Sequence, residues 1–176
     1  CIVSKCINPL IIWGDSVTLI ADGAFYNCSN LTSINIPDGV TNIGEYAFYN
    51  CTGLSDIILP QGVTSIEKYA FYGCSGLKTV SIPSSVTAIK DGAFSECSGL
   101  ISLNIPEGVA FIGCESFNNC SGLTTLSIPS SIQYLYENEF INCSSIDTLY
   151  WNSNLSPRYI VSECDNPLIL FGDSVT

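Results

Sequence analysis

The stretch AFYNCTGL at residues 47–54 is repeated, with changes, along most of this chain. Its phenylalanine, cysteine and leucine each recur every 23 residues. A fixed period of about 20 to 50 residues indicates a solenoid, in which each coil packs against the next one. The recurring residues are Phe25, Phe48, Phe71, Phe94, Phe117 and Phe140; Cys28, Cys51, Cys74, Cys97, Cys120 and Cys143; and Leu31, Leu54, Leu77, Leu100, Leu123 and Ile146.

The composition favours a folded domain with a large core. The chain of 176 residues is 47% hydrophobic and 12% charged, so it has enough apolar side chains to bury a core. Its net charge of −11 opposes binding to nucleic acid and to anionic membranes, which both require basic surfaces. No apolar run reaches the roughly 18 residues that a membrane-spanning helix needs. We therefore expect no nucleic-acid partner and no membrane span in this chain.

Each repeat predicts one coil made of short segments. In the second unit, Ile34 and Ile36 alternate with polar residues, which is the period of a half-buried strand. Pro37 and the Asp-Gly pair after it end this strand in a tight turn. Val40 begins a second short strand, and residues 44–51 are expected to make one helical turn with the alanine, phenylalanine and cysteine pointing inward.

One coil cannot bury its own apolar side, but stacked coils place phenylalanine on phenylalanine and isoleucine on isoleucine. The predicted fold is a β-rich repeat solenoid, a single elongated domain that covers residues 1–176. It consists of about seven coils with uncapped ends.

The unit Leu-x-x-Ile-x-Ile-Pro…Val-x-x-Ile-Gly-x-x-Ala-Phe-x-x-Cys-Ser-x-Leu resembles the BspA-type leucine-rich repeat. Residues 31–51 and 54–74 carry the pattern, and the resemblance covers residues 11–151 clearly. It implies a right-handed leucine-rich-repeat superhelix in a surface-displayed or secreted bacterial or protist protein that adheres to host or matrix components. It implies no catalytic residues, because the matching positions are core positions.

The two ends of the chain repeat each other. Residues 1–18 and 159–176 are identical at thirteen of eighteen positions. Their offset of 158 residues corresponds to six units of 23 and one unit of 20, which we place at residues 151–171. We interpret the chain as one super-repeat and the start of the next, a fragment of a longer tandem array. Because both ends keep an apolar strand sequence, we expect homotypic end-to-end association.

Ten cysteines raise the question of disulfides and metal sites. Six share one phase of the repeat and predict an inward column of buried thiols. The chain has no Cys-x-x-Cys pair and no histidine, so no metal site is expected. Cys1 and Cys6 are close in sequence and form a candidate disulfide, the alternative being two free thiols. Cys114 and Cys164 also lie outside the column.

The absence of histidine excludes Ser-His-Asp and Cys-His arrangements within this chain. Glu137 and Glu139 are the remaining candidate acid–base pair, but we expect their repeat position to be a solvated surface one. No Gly-rich phosphate loop precedes a helix. We therefore expect neither enzymatic activity nor a cofactor.

Six sequences fit the N-glycosylation acceptor pattern, and one of them, Asn154-Leu-Ser, is a poorer acceptor because Pro157 follows it. Four of them share one phase of the repeat, so they are not independent signals. In a secreted eukaryotic protein they place glycans along one edge of the solenoid, whereas in a bacterium they carry no meaning. The other five acceptor residues are Asn27, Asn30, Asn50, Asn119 and Asn142.

Two outward-facing surfaces supply the candidate binding residues. Tyr26, Tyr49 and Tyr72 follow the core phenylalanine in successive coils, with Tyr46 and Tyr69 nearby. Tyrosine offers a large amphipathic contact surface at low entropic cost, while the alternative is an aromatic ridge that only stiffens the solenoid. The strand face is hydroxyl-rich, which is also typical of any exposed strand. Its candidate residues are Asn35, Asp56 and Tyr150.

Two functional hypotheses follow from the sequence. The first is a non-catalytic extracellular or cell-surface adhesion module that binds a protein or glycan partner on a host, matrix or neighbouring cell. The second is a structural repeat unit of an extracellular filament assembled by end-to-end stacking.

Overall fold

The computed structural model describes residues 11–135, 138–156, 160 and 167–172. These residues form a β-rich solenoid of about six turns, in which all strand pairs are parallel. The predicted fold class is therefore confirmed. The strands are β1 (Leu19–Ile20), β2 (Asn42–Ile43), β3 (Asp56–Ile58), β4 (Ser65–Ile66), β5 (Thr79–Ser81), β6 (Ala88–Ile89), β7 (Ser102–Asn104), β8 (Phe111–Ile112), β9 (Thr125–Ile128), β10 (Thr148–Trp151) and β11 (Leu168–Phe171).

The strands lie on two faces of the solenoid. The longer strands form the strand face, with β3 paired to β5 and with the order β7-β9-β10-β11 in a four-stranded sheet. The two-residue strands form the second face as β1-β2 and β4-β6-β8. Pairing preserves the phase of the 23-residue repeat: Asp56 lies opposite Thr79, and Ser65 lies opposite Ala88.

A tight turn at proline joins the two faces in successive coils. The Val40 N–H donates to the Pro37 carbonyl at 3.0 Å, and Val63 donates to Pro60 at 3.1 Å. Proline has no N–H for the strand ladder and presets the φ of the turn. The predicted strand–turn–strand order is confirmed where both strands form, as with β3 and β4 around Pro60, but residues 34–36 of the second unit form no strand.

The segment after the short strand is a series of turns, so the prediction of a helical turn at residues 44–51 is wrong. The Tyr49 N–H donates back to Tyr46 at 3.1 Å, but the Phe48 N–H donates to Ala70 in the next coil at 2.8 Å. Tyr46 and Asn50 have positive φ values, which interrupt a right-handed helix. This turn segment therefore bonds to its neighbours much as a strand does.

The core is a set of columns that run through the coils. Neighbouring phenylalanine rings from Phe25 to Phe140 stack with centroids 5.1 to 5.6 Å apart and planes within 10° of parallel. Beside them, the Cys51 thiol donates to the Phe25 carbonyl at 3.1 Å, and Cys74 bonds to Phe48 in the same way. The predicted inward columns of phenylalanine and cysteine are confirmed.

The last described coil is shorter than the others. Trp151 in β10 lies opposite Phe171 in β11, twenty residues further along the chain. Trp151 is buried, and its indole N–H donates to the Leu155 carbonyl at 2.8 Å. Most of the second copy of residues 1–18 lies outside the described residues.

Candidate functional site: two tyrosine ladders on the turn segment

Two backbone positions in the turn segment have φ values in the left-handed region, between 54° and 69°. Glycine adopts this conformation freely and asparagine tolerates it, whereas it costs other L-residues about 1–2 kcal/mol. The first position holds Gly23, Tyr46, Tyr69, Gly92 and Glu115, and the second holds Asn27, Asn50, Gly73, Glu96, Asn119 and Asn142.

Tyr46 and Tyr69 occupy a position where glycine would be less strained. Gly23 and Gly92 hold the same position in the flanking coils, with φ values of 61° in both. Non-glycine residues in such conformations concentrate at functional sites. The backbone strain at these two tyrosines is therefore a reason to examine what their rings contact.

The tyrosines form two stacked ladders side by side. Tyr26, Tyr49 and Tyr72 stack with ring centroids 4.8 and 4.7 Å apart and planes within 7° of parallel. Tyr46 and Tyr69 form the second ladder, with centroids 5.3 Å apart. The ladders meet at an angle, because Tyr69 lies edge-on to Tyr72 at 69° and 5.9 Å. We call these five residues the tyrosine trough.

The trough borders a groove of about 390 Å³ lined by four of its tyrosines and by Glu115. Tyr26 and Tyr46 are 40% and 37% exposed, and the other three rings are half-buried. Stacked rings cover one another's faces, so ring edges and hydroxyl groups meet the solvent. Such an amphipathic surface is typical of protein-binding sites.

Both ladders end before the middle of the chain. After Tyr72, the next residue in its column is Ser95, which has no ring. After Tyr69, the next residue is Gly92, where a Cβ atom would collide with the ring of Tyr69. The residue after Gly92 in this column is Glu115, so a carboxylate closes the groove.

The end of the trough carries negative charge. Burial raises the pKa of the Tyr72 hydroxyl, and the Glu96 carboxylate raises it further, together with Tyr49, Tyr69 and Glu115. Asn119 positions Glu96, because its side-chain amide donates to Glu96 Oε1 at 2.6 Å. Burial also raises the pKa of Tyr49.

Sequence reasoning had noted Tyr46 and Tyr69 only as neighbours and had missed Glu96 and Glu115. The available signal was the column Gly-Tyr-Tyr-Gly-Glu at 23-residue spacing, in which tyrosine replaces glycine. Such an exchange indicates a left-handed backbone position that two coils fill with a strained aromatic residue.

The sequence of residues 4–108 matches the BspA type leucine-rich repeat region, in six copies. This chain belongs to the BspA-type leucine-rich repeat family. Among curated proteins, none is significantly similar to it in sequence.

Solved structures support the same assignment. A leucine-rich repeat protein from Bacteroides ovatus is 33% identical, with a TM-score of 0.77, and the match covers 90% of this chain and 42% of that one. The leucine-rich repeat protein of T. pallidum is 28% identical, with a TM-score of 0.61, over 64% of this chain and 52% of that one. The pneumococcal vaccine antigen PcpA is 19% identical, with a TM-score of 0.63, over 92% of this chain and 46% of that one, and it supports the fold alone. This chain thus spans about half, or less, of these proteins.

In this BspA-type solenoid the three strand-face candidates do not form one site. Asn35 and Tyr150 share a phase of the repeat but lie five coils apart, which is about 24 Å at the usual strand spacing. Asp56 lies in β3 and accepts a hydrogen bond from the Ser55 hydroxyl at 2.8 Å. All three residues are exposed, and their binding role stays a prediction.

The candidate glycosylation sites of this BspA-type repeat have a conformational explanation. Asn27, Asn50, Asn119 and Asn142 all occupy the second left-handed position, which asparagine tolerates. The Asn142 amide donates to Asn119 Oδ1 at 2.6 Å, as Asn119 does to Glu96. Asn30 lies outside this column and is exposed. Glycosylation stays a prediction at all five residues.

The cysteine column contains buried thiols and, at Cys28, a disulfide-bonded cysteine. The thiols of Cys51, Cys74, Cys97 and Cys120 are free and buried, and burial raises the pKa of Cys51 and Cys97 to about 12. Cys143 is buried too, and its thiol donates to the Phe117 carbonyl at 3.1 Å.

The expectation of a thiol is wrong at Cys28, which is disulfide-bonded. Every other described cysteine keeps its thiol. Cys28 is the first cysteine of the column. The candidate Cys1–Cys6 pair itself lies outside the described residues.

The expectation for Glu139 is also wrong, because its side chain is fully buried. Its equivalents Ala47, Ala70 and Ala93 are core residues of the turn segment, so this position points inward. Glu137 lies outside the described residues. Proteins of this family and fold are typically non-catalytic.

Within the described part of the chain, no three histidine, cysteine or acidic residues are grouped so that they could hold a metal ion. In the same part, no helix has the length and apolar character needed to cross a membrane.

Proposed function

We propose that this chain is a non-catalytic protein-binding module of an extracellular or cell-surface adhesion protein. Its contact surface is the tyrosine trough, and its partner is a protein on a host, matrix or neighbouring cell. Leucine-rich repeat proteins of this family generally mediate protein interactions.

The observation that carries this proposal is the pair of strained tyrosines. Tyr46 and Tyr69 replace the glycine that flanking coils use at the same left-handed position. The coils that lack tyrosines keep the same turn-to-turn hydrogen bonds: Phe94 donates to Ser116 at 2.8 Å, as Phe48 does to Ala70. The solenoid therefore does not require the tyrosines, and a binding role accounts for retaining them despite the strain.

Cysteine chemistry supports an extracellular or cell-surface location. Disulfides such as the one at Cys28 persist mainly in oxidising compartments. The column thiols of Cys51 and Cys97 are buried and have raised pKa values, so they resist oxidation there. This location is part of the proposal.

The test is selection of a phage-displayed random dodecapeptide library on the wild-type chain. The recovered pool is then measured against two triple variants, Y26S/Y49S/Y72S in the trough and N35S/I58S/N104S on the strand face. Asn35, Ile58 and Asn104 are all exposed, which makes the second variant a matched surface control. Circular dichroism verifies that both variants are folded.

We expect the trough variant to lose at least about tenfold in affinity, since buried aromatic anchors dominate most interfaces. The strand-face variant should bind within about twofold of the wild type. Loss of binding in the strand-face variant, with the trough variant unaffected, would place the contact surface elsewhere and reject the proposal.

A second proposal, end-to-end association of the 176-residue chain, is supported by the exposed apolar side chains of β11. Leu168 and Phe171 are 59% and 58% exposed on this strand. An apolar edge strand pairs readily with another chain, and lysine on the edge blocks such pairing. Sedimentation velocity of the wild type should show larger species as concentration rises, whereas the L168K/F171K variant should stay monomeric. A wild-type chain that is monomeric at high concentration would contradict this.

A further inference from the structure

We propose that the end of the tyrosine trough nearest Glu115 is a subsite for a guanidinium group, the side chain of an arginine in the protein partner. This inference rests on the proposed function, because it names the chemistry that the trough recognises.

The first argument is space. Tyr69 and Tyr72 are the last rings of their ladders, and Gly92 and Ser95 follow them with little or no side chain. Two coils separate Tyr69 from Glu115, which is about 10 Å at the usual strand spacing. The Tyr69 ring lies over Gly92, and the groove that it lines together with Tyr72 and Glu115 is where a flat cationic group would bind.

The second argument is charge. The pKa of the Tyr72 hydroxyl is raised by burial and then by Glu96 and Glu115, so two carboxylates act on this end of the groove. The basic residue beside the trough, Lys68, is already paired with Asp91 at 3.0 Å. The groove thus presents negative charge that Lys68 does not neutralise, in a chain whose net charge is −11.

The third argument is shape, which favours guanidinium over ammonium. A guanidinium group is planar, stacks on an aromatic ring and donates two parallel hydrogen bonds to a carboxylate. The end of the trough offers both kinds of partner, a terminal tyrosine ring and the carboxylates of Glu96 and Glu115. An ammonium group uses the charge but not the stacking geometry.

The experiment is an NMR titration of the isotope-labelled chain with N-acetyl-arginine amide. N-acetyl-citrulline amide, which has nearly the same shape but no charge, is the ligand control. The test variant is E96Q/E115Q, in which the amide oxygen introduced at position 96 can still accept the hydrogen bond from Asn119. The matched control is D38N/D147N, which removes two exposed charges away from the trough.

We expect the arginine probe to shift amide resonances of residues 69–73, 92–96 and 115 in the wild type and in the D38N/D147N variant. Affinity should fall at least about fivefold for the citrulline probe and for the arginine probe with the E96Q/E115Q variant. Equal binding of the two probes, or equal loss in both variants, would overturn the subsite.

The two proposals fail in distinguishable ways. If the arginine probe does not bind but the selected peptide pool still requires the trough tyrosines, the subsite is rejected and the contact surface stands. If the pool binds without those tyrosines, the contact surface itself is rejected, whatever the arginine probe does.

Discussion

The molecule contains two kinds of aromatic ladder on the same turn segment, and they differ in burial and extent. The phenylalanine rings lie 5.1 to 5.6 Å apart through six coils, and those from Phe48 to Phe117 are completely buried. The Tyr26–Tyr49–Tyr72 rings lie 4.7 to 4.8 Å apart through three coils and reach the solvent. Stacking follows from the coil spacing in both cases, so stacking alone does not assign a role. Burial and continuity mark the phenylalanines as structural.

The largest expected effect is the removal of one inner ring. Phe71→Ala should lower the free energy of unfolding by about 3–5 kcal/mol, because it leaves a cavity in the middle of the core. Tyr26→Ala, at the exposed end of the outer ladder, should cost no more than about 2 kcal/mol. Denaturant unfolding of both variants measures the difference, and equal losses would remove the distinction between the ladders.

The second prediction concerns strain in the outer ladders. Tyr46→Gly should be more stable than Tyr46→Ala by about 1 kcal/mol, because both lose the ring but the φ of 57° is unfavourable for alanine and not for glycine. Tyr49 is the matched control, since its φ is not positive. There alanine should be the more stable replacement, by about 0.5–1 kcal/mol. If the same replacement, glycine or alanine, were the more stable one at both Tyr46 and Tyr49, backbone strain would not distinguish the two positions.

The smallest expected effect is a pH dependence of stability, which comes from Cys97 beside the phenylalanine ladder. Burial raises the pKa of Cys97 from 9.0 to about 12. The folded chain binds the Cys97 proton more tightly than the unfolded chain does. The contribution of Cys97 to the stability of the folded state is therefore fully present below pH 9 and is lost as the pH rises toward 12.

The corresponding variant is Cys97→Ala, compared with the wild type by denaturant unfolding at about pH 8 and about pH 10. The stability advantage of the wild type should shrink by about 1 kcal/mol between these values. An advantage that is unchanged or larger at the higher pH would mean that the thiol is not held protonated by burial.

The sequence was sufficient to predict the coil and its columns, because core positions repeat with their side chains. Phe48, Cys51 and Leu54 reveal the period, and Pro37 indicates the turn. The helical turn was mispredicted because a backbone with two left-handed residues four positions apart has no strong sequence signature when tyrosine or glutamate occupies those positions. Glu139 was misplaced because an acidic side chain is rarely buried, although it lies four repeats after Ala47, which was predicted to point inward.

The candidate site was only partly predictable. Tyr26, Tyr49 and Tyr72 were found from their spacing, which the phenylalanine repeat fixes. Tyr46, Tyr69 and Glu115 line the same groove as Tyr49 and Tyr72. Whether they do so depends on the distance, within one coil, between the column of Tyr46 and the column of Tyr49. That distance is a property of the turn geometry rather than of sequence spacing, so it appeared only with the structure.

Photo-crosslinking tests the central claim most directly, that the outer ladders bind while the inner ladder only supports them. The peptide recovered most often from selection on the wild type is resynthesised with benzoylphenylalanine, and crosslinked residues are identified by mass spectrometry. We predict crosslinks in residues 45–50 and 68–73, around the tyrosine trough. Crosslinks confined to β3, β5 and β7 on the strand face would contradict this account.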